Sequence, residues 1–121
     1  MRNTNITILS GADTGTITGG AIDSNQLYAA SFQIFTGDAS AAGTVKIQMS
    51  NDICTTGGNV AASFTPTHWT DISGASIAVA SGVAANPIEI VAMKYRWIRA
   101  VFTYTSGGST TITVSMNAQG A

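Results

Sequence analysis

Residues Thr44-Val45-Lys46-Ile47-Gln48-Met49-Ser50 decide the fold. Val45, Ile47 and Met49 fall on one side of an extended chain, and Lys46 and Gln48 fall on the other. That period of two separates a half-buried β-strand from an amphipathic helix. The alternation recurs in Thr111-Ile112-Thr113-Val114-Ser115-Met116-Asn117, in Ser76-Ile77-Ala78-Val79 and in Ile88-Glu89-Ile90. Asn5 to Leu9 places Ile6 and Ile8 together, and Thr16 to Thr18 reads as a weaker strand. Gln26 to Thr36 aligns Tyr28, Ala30, Phe32 and Ile34, with a helical turn expected around Asp23 to Leu27. Tyr95 to Thr105 is apolar on both faces, Ile98, Ala100 and Phe102 on one and Trp97 and Val101 on the other, as a central strand requires. Its Arg96 and Arg99 fall on opposite faces.

Clusters of turn-forming residues separate these segments: Gly11 to Gly15, Gly19-Gly20, Gly37 to Gly43, Gly57-Gly58, Ser73-Gly74, Ser81-Gly82 and Ser106-Gly107-Gly108. About eight or nine short strands result. The only leucines are Leu9 and Leu27 and the only lysines Lys46 and Lys94, while Thr, Val, Ile and aromatics are plentiful, a balance that disfavours helix. With no helical stretch to carry parallel crossovers, the expected fold is all-β: an antiparallel two-sheet β-sandwich, jelly-roll-like, forming one domain over residues 1–121. The longest irregular stretch, Asn51 to Thr67, is a candidate functional loop.

Charged residues make up 9% of the chain and the formal net charge is −1, against roughly 25% charged in an average soluble domain. Alanine, glycine, serine and threonine account for 60 of the 121 residues, so the surface must consist largely of small uncharged groups. At 45% hydrophobic content the chain has enough apolar surface to fold. Such a surface repels copies of itself weakly, which favours assembly, with a homo-oligomer (dimer or trimer) expected. Five basic residues against six acidic ones offer no field for nucleic acid. Residues Met1 to Asn5 lead into polar–apolar alternation without an apolar signal core, and no run approaches the roughly 18 apolar residues of a membrane helix, so neither export nor membrane insertion is expected. One cysteine, Cys54, excludes an internal disulfide and suits a protein made in a reducing cytoplasm.

Catalytic sets do not assemble on paper. His68, in Pro66-Thr67-His68-Trp69-Thr70-Asp71, is the one histidine and has no nucleophile elbow beside it. Pairing it with Cys54 leaves no orienting third group. The acidic residues Asp13, Asp23, Asp38, Asp52, Asp71 and Glu89 sit mostly in turns, where aspartate caps backbone amides, rather than as a carboxylate pair across a cleft. One Cys and one His cannot fill a tetrahedral metal site, and Asn51 and Asp52 lack the spacing of a calcium loop. No glycine pair is followed by the Lys-Ser or Lys-Thr of a phosphate loop. No enzyme activity, metal or cofactor is therefore expected. Trp69 and Trp97, with Asn51 and Asp52, are the candidate binding or interface residues, either as a stacking platform for sugars or as part of the core or a subunit contact.

The run Val45-Lys46-Ile47-Gln48-Met49-Ser50-Asn51-Asp52, then Trp69-Thr70-Asp71-Ile72, then Tyr95-Arg96-Trp97-Ile98-Arg99-Ala100-Val101-Phe102, and a closing Gly107 to Val114 hairpin resembles small β-sandwich virion proteins of tailed bacteriophages. The likeness spans residues 45 to 114. It implies a capsid decoration (cement) protein, or another head or tail component, made in the host cytoplasm and located in the virion. Its partners would be the major capsid protein or other virion proteins, and it would carry no catalytic residue. A strand, a Ser-Asn-Asp loop, a Trp and a Tyr-Arg-x-Ile-Arg strand are also similar to discoidin-like carbohydrate-binding modules. On that alternative Trp69 and the 51–67 loop would meet a glycan.

Overall fold

The computed structural model of the chain describes residues 2–24, 27–36, 41–52, 55–56, 59–60, 65–80, 83–84, 88–90, 93–108 and 111–120. Every regular element among them is a strand: β1 (Arg2–Ala12), β2 (Ile17–Thr18), β3 (Ile22–Asp23), β4 (Leu27–Thr36), β5 (Ala42–Ser50), β6 (Thr55–Thr56), β7 (Asn59–Val60), β8 (Thr70–Ala80), β9 (Val83–Ala84), β10 (Ile88–Ile90), β11 (Trp97–Ser106) and β12 (Thr111–Gly120). Among the described residues no helix is long and apolar enough to cross a membrane.

Pairing is antiparallel throughout and follows one rule. Taking β2 and β3 as one interrupted strand and setting aside the short β6, β7 and β9, eight strands remain in chain order. The first pairs with the last (β1 with β12), the second with the seventh (β2/β3 with β11), the third with the sixth (β4 with β10) and the fourth with the fifth (β5 with β8). A long hairpin rolled up on itself gives these pairs, and it is the winding of a jelly roll. Lateral pairing of β12 with β4 and of β11 with β5 completes two packed sheets, β1-β12-β4-β10 and β2/β3-β11-β5-β8. The short β9 pairs with both β8 and β4, carrying the hydrogen bonding round one corner.

Alternate residues of each strand fill the space between the sheets. Phe32, Ile112, Val114 and Met116 from one sheet meet Val45, Ile47, Ile98 and Phe102 from the other, all essentially without exposure. Each such side chain stabilises the fold by about 1.5–3 kcal/mol relative to exposure.

Of the helical turn expected around Asp23 to Leu27, residues 25 and 26 lie outside the described residues; Asp23 ends β3, Leu27 opens β4, and Leu27 N–H donates to Ser24 C=O at 3.1 Å. Three expectations need correction. Gly107 to Val114 is not a hairpin, because β11 and β12 belong to opposite sheets and Gly107 and Gly108, at φ of 73° and 88°, turn the chain from one to the other. Ser73-Gly74 is not a loop between strands but a bulge inside β8. Lys46 pairs with Ser76 and Gln48 with Asp71, so four residues, 72–75, stand opposite Ile47 alone, and Gly74 takes φ 80° to allow it. Ile6 does not share the burial of Ile8. An extra residue in β1 between Thr7 and Leu9 turns both Ile8 and Leu9 into the core, while Ile6 is 37% exposed. Turn clusters at 37–40, 57–58 and 81–82 lie outside the described residues, as do Asp38 and Cys54.

Candidate functional site

The residues singled out from sequence gather at one end of the β2/β3-β11-β5-β8 sheet. Ile98, Ala100 and Phe102 of β11 point inward, so Trp97 and Arg99 project from the outer face. Register places Arg99 beside Gln48, and Gln48 beside Asp71. The three are linked across the strands: Arg99 Nε donates to Gln48 Oε1 at 2.8 Å, Gln48 Nε2 to Asp71 Oδ1 at 2.8 Å, and Lys46 Nζ to Asp71 Oδ2 at 3.2 Å. These donors hold the Asp71 carboxyl below its usual range, Gln48 contributing most and Lys46 next.

Trp69, immediately before β8, is half-buried and anchored by its Nε1–H on Pro66 C=O at 3.2 Å. The Arg99 guanidinium lies over its ring, 4.3 Å from the centroid. A cation on an indole face contributes about 0.5–2 kcal/mol, rising as water is excluded. Burial pulls the Arg99 guanidinium below its ordinary pKa, although an arginine keeps its charge in any protein environment. At the neighbouring position Arg96 reaches over the Trp97 ring, 5.1 Å to the centroid, and its Nη2 is 3.4 Å from Asp23 Oδ2.

Asn51 and Asp52 act on the backbone. Asn51 Oδ1 accepts from Arg96 N–H at 2.9 Å, tying the end of β5 to the start of β11. Asp52 Oδ2 accepts from the amides of Thr67 and His68 at 2.7 and 3.0 Å, closing the base of the 53–66 segment. Those two amides are the main reason its carboxyl sits below the usual range. His68 is 86% exposed at its side chain. Its Nδ1 faces Asp52 Oδ1 at 3.1 Å and Thr67 Oγ1 at 3.1 Å. A triad needs the carboxylate on one ring nitrogen and the nucleophile on the other, whereas here both neighbours share Nδ1. Among the described residues no three His, Cys, Asp or Glu side chains converge as a metal site would require. Asn51 Oδ1 and Asp52 Oδ2 are both engaged by backbone amides.

No family model and no curated protein matches the chain. Among solved structures, the crystal structure of the SPBc2 prophage-derived protein YomS superposes with a TM-score of 0.58 at 12% identity, covering 97% of this chain and 92% of that one. The two share a fold. The match runs end to end, so the whole jelly roll is common to both and not one sheet alone.

Three residues of importance to the site, Arg99, Gln48 and Asp71, are outward positions that period-two parity alone could have marked. Their linkage depends on cross-strand register, which parity does not supply. Asp13 falls in a turn as expected, yet it is fully buried and accepts from Thr36 Oγ1 at 2.8 Å, a role for which its sequence neighbourhood carries no signal.

Proposed function

We propose that this chain is a non-enzymatic structural protein of a tailed-phage virion, a decoration or cement protein that binds the assembled head and stabilises it. The observation that carries the reading is the end-to-end likeness to a prophage-derived protein in a jelly roll. The sparsely charged surface supports it further, since small uncharged side chains suit close packing against a neighbouring protein. A subunit that touches the shell only in its assembled form lowers the free energy of that state by mass action. Trp69, Arg99 and Trp97 on one outer face are side chains of the kind that dominate binding energy at protein interfaces, as a protein that works by contact requires.

The discoidin-like alternative would set Trp69 against a sugar ring. Arg99 already covers one face of that indole at 4.3 Å, which closes that face to a glycan. Adding the purified protein to bare heads, then measuring occupancy and the temperature at which heads rupture, tests the proposal. Saturable binding with a raised rupture temperature is expected. Failure to bind heads, together with glycan-dependent quenching of Trp69 fluorescence, would overturn it in favour of the carbohydrate module.

A further inference from the structure

The described strands carry few charged side chains, and most of these are neutralised within the molecule. Lys46 pairs with Asp71 and Asp23 with Arg96. Among the strand side chains that are described, two are left: Arg99, whose hydrogen bond goes to the neutral Gln48, and Glu89, which has no hydrogen bond or ion pair to a described residue. They lie on opposite sides of the sandwich. Glu89 is the exposed middle residue of β10, flanked by buried Ile88 and Ile90, so it projects outward from the sheet opposite the one that carries Arg99. It borders a shallow groove of about 340 Å³ lined by Ala29, Ser31, Asn117 and Gln119. Apart from Glu89 that groove is uncharged, and its small side chains leave room for an incoming ridge.

We infer that this chain self-associates head to tail, with the Arg99–Trp69 ridge of one copy seated in the Glu89 groove of the next and Arg99 paired to Glu89 across the contact. Charge complementarity selects the occupant, since the groove offers a lone carboxylate and the ridge a lone guanidinium held in place. Area permits it. Three strands of nine to eleven residues at about 3.3 Å per residue and 4.8 Å spacing give each outer face a footprint of roughly 500 Å² before pleat and loops are added. That is of the order of the ~800 Å² per partner in a standard interface. Because the two faces point in opposite directions, they cannot both meet the same partner. The contact is therefore heterologous, and it generates a closed ring of three or more copies or an open row, not a two-fold dimer.

Repeated contact of this kind rests on the reading of the chain as a virion structural protein, but the test needs no shell. Sedimentation equilibrium of the full chain across a concentration series would compare the wild type with Glu89→Arg, Arg99→Glu and the double reversal. Wild type is expected to show mass rising with concentration beyond a dimer. Each single reversal should weaken association about tenfold or more, as for close interfacial charge pairs, and the double reversal should recover it. Glu89→Arg is exposed and unpaired, so it keeps the fold, and it remains decisive if Arg99→Glu disturbs Trp69. A wild type that stays monomeric, single reversals that associate as wild type does, or a double reversal no better than the singles would each overturn the inference, whatever the outcome on heads.

Discussion

Thr36→Val isolates one hydrogen bond in a place where its strength is readable. Asp13 is fully buried in the turn after β1, and Thr36, 6% exposed at the end of β4, donates its hydroxyl to Asp13 Oδ2 at 2.8 Å. Valine keeps the shape of threonine and opens no cavity, so the substitution removes the hydroxyl donor. A hydrogen bond to a carboxyl group that carries charge contributes about 1.5–3 kcal/mol net, and Thr36→Val deletes this one from the Asp13 hydrogen-bond set. Thr36→Ser makes the opposite change, keeping the hydroxyl and deleting a methyl worth about 0.8 kcal/mol. At about 4 °C per kcal/mol for a domain of this size, Thr36→Val should lower Tm by about 6–12 °C and Thr36→Ser by about 3 °C. Thermal unfolding followed by circular dichroism at neutral pH distinguishes the two. If packing rather than the hydrogen bond governed the site, the order would reverse, with valine at least as stable as wild type and serine the weaker variant. That order would refute the reasoning.

Other outcomes follow from the same structure. Gly43→Ala would put a Cβ 2.4 Å from Thr103 O and 2.6 Å from the Phe102 ring. It should destabilise by about 1–3 kcal/mol as an overpacked core does, while Gly20→Ala, with nothing within 4 Å, should stay within about 0.5 kcal/mol of wild type in denaturant titrations. Asp52 and Asp71 titrate below the ordinary carboxylate value of 3.8 in the folded state. The stability they lend is therefore full above that value and is lost as pH falls through their folded values. Tm should be flat from neutrality to about pH 5 and fall in stronger acid, and a decline that began near neutrality would contradict this. Replacing both His68 and Cys54 with alanine should leave head binding unchanged, and a folded double variant that no longer bound heads would show that one of them has a role.

Strand identity was legible because inward residues alternate. Val45 and Ile47, Ile112 and Val114, and Ile98 and Phe102 are buried where parity puts them. Parity failed where one strand holds more residues than its partner. Ile8 and the 72–75 bulge depend on what lies opposite, and a partner strand is invisible from within a segment. The β11–β12 connection misled for a related reason. Two glycines between strands suit a hairpin locally, but the rolled pairing of first with last and second with seventh sends β12 to the other sheet. Trp69, Trp97, Asn51 and Asp52 came together as one region, although Asn51 and Asp52 serve there as backbone fasteners, and the side chain that gives the region its character is Arg99.

Arginine is an expensive anchor for an interface, since fixing its long side chain forfeits up to about 2 kcal/mol of rotamer freedom. In this chain most of that ordering is complete before any partner arrives. Strand pairing fixes the backbone, Trp69 supports the guanidinium plane, and Gln48 engages Nε. Gln48 is itself held by Asp71, which Lys46 holds in turn. The ladder runs across three strands and ends on a neutralised carboxylate, so it orients Arg99 without cancelling its charge. A direct Arg99–Asp71 ion pair would have made a quieter surface and a poorer anchor. Interposing a neutral glutamine leaves a positioned cation on a face otherwise nearly free of net charge, which gives a contact surface its register where hydrophobic burial, being non-directional, cannot.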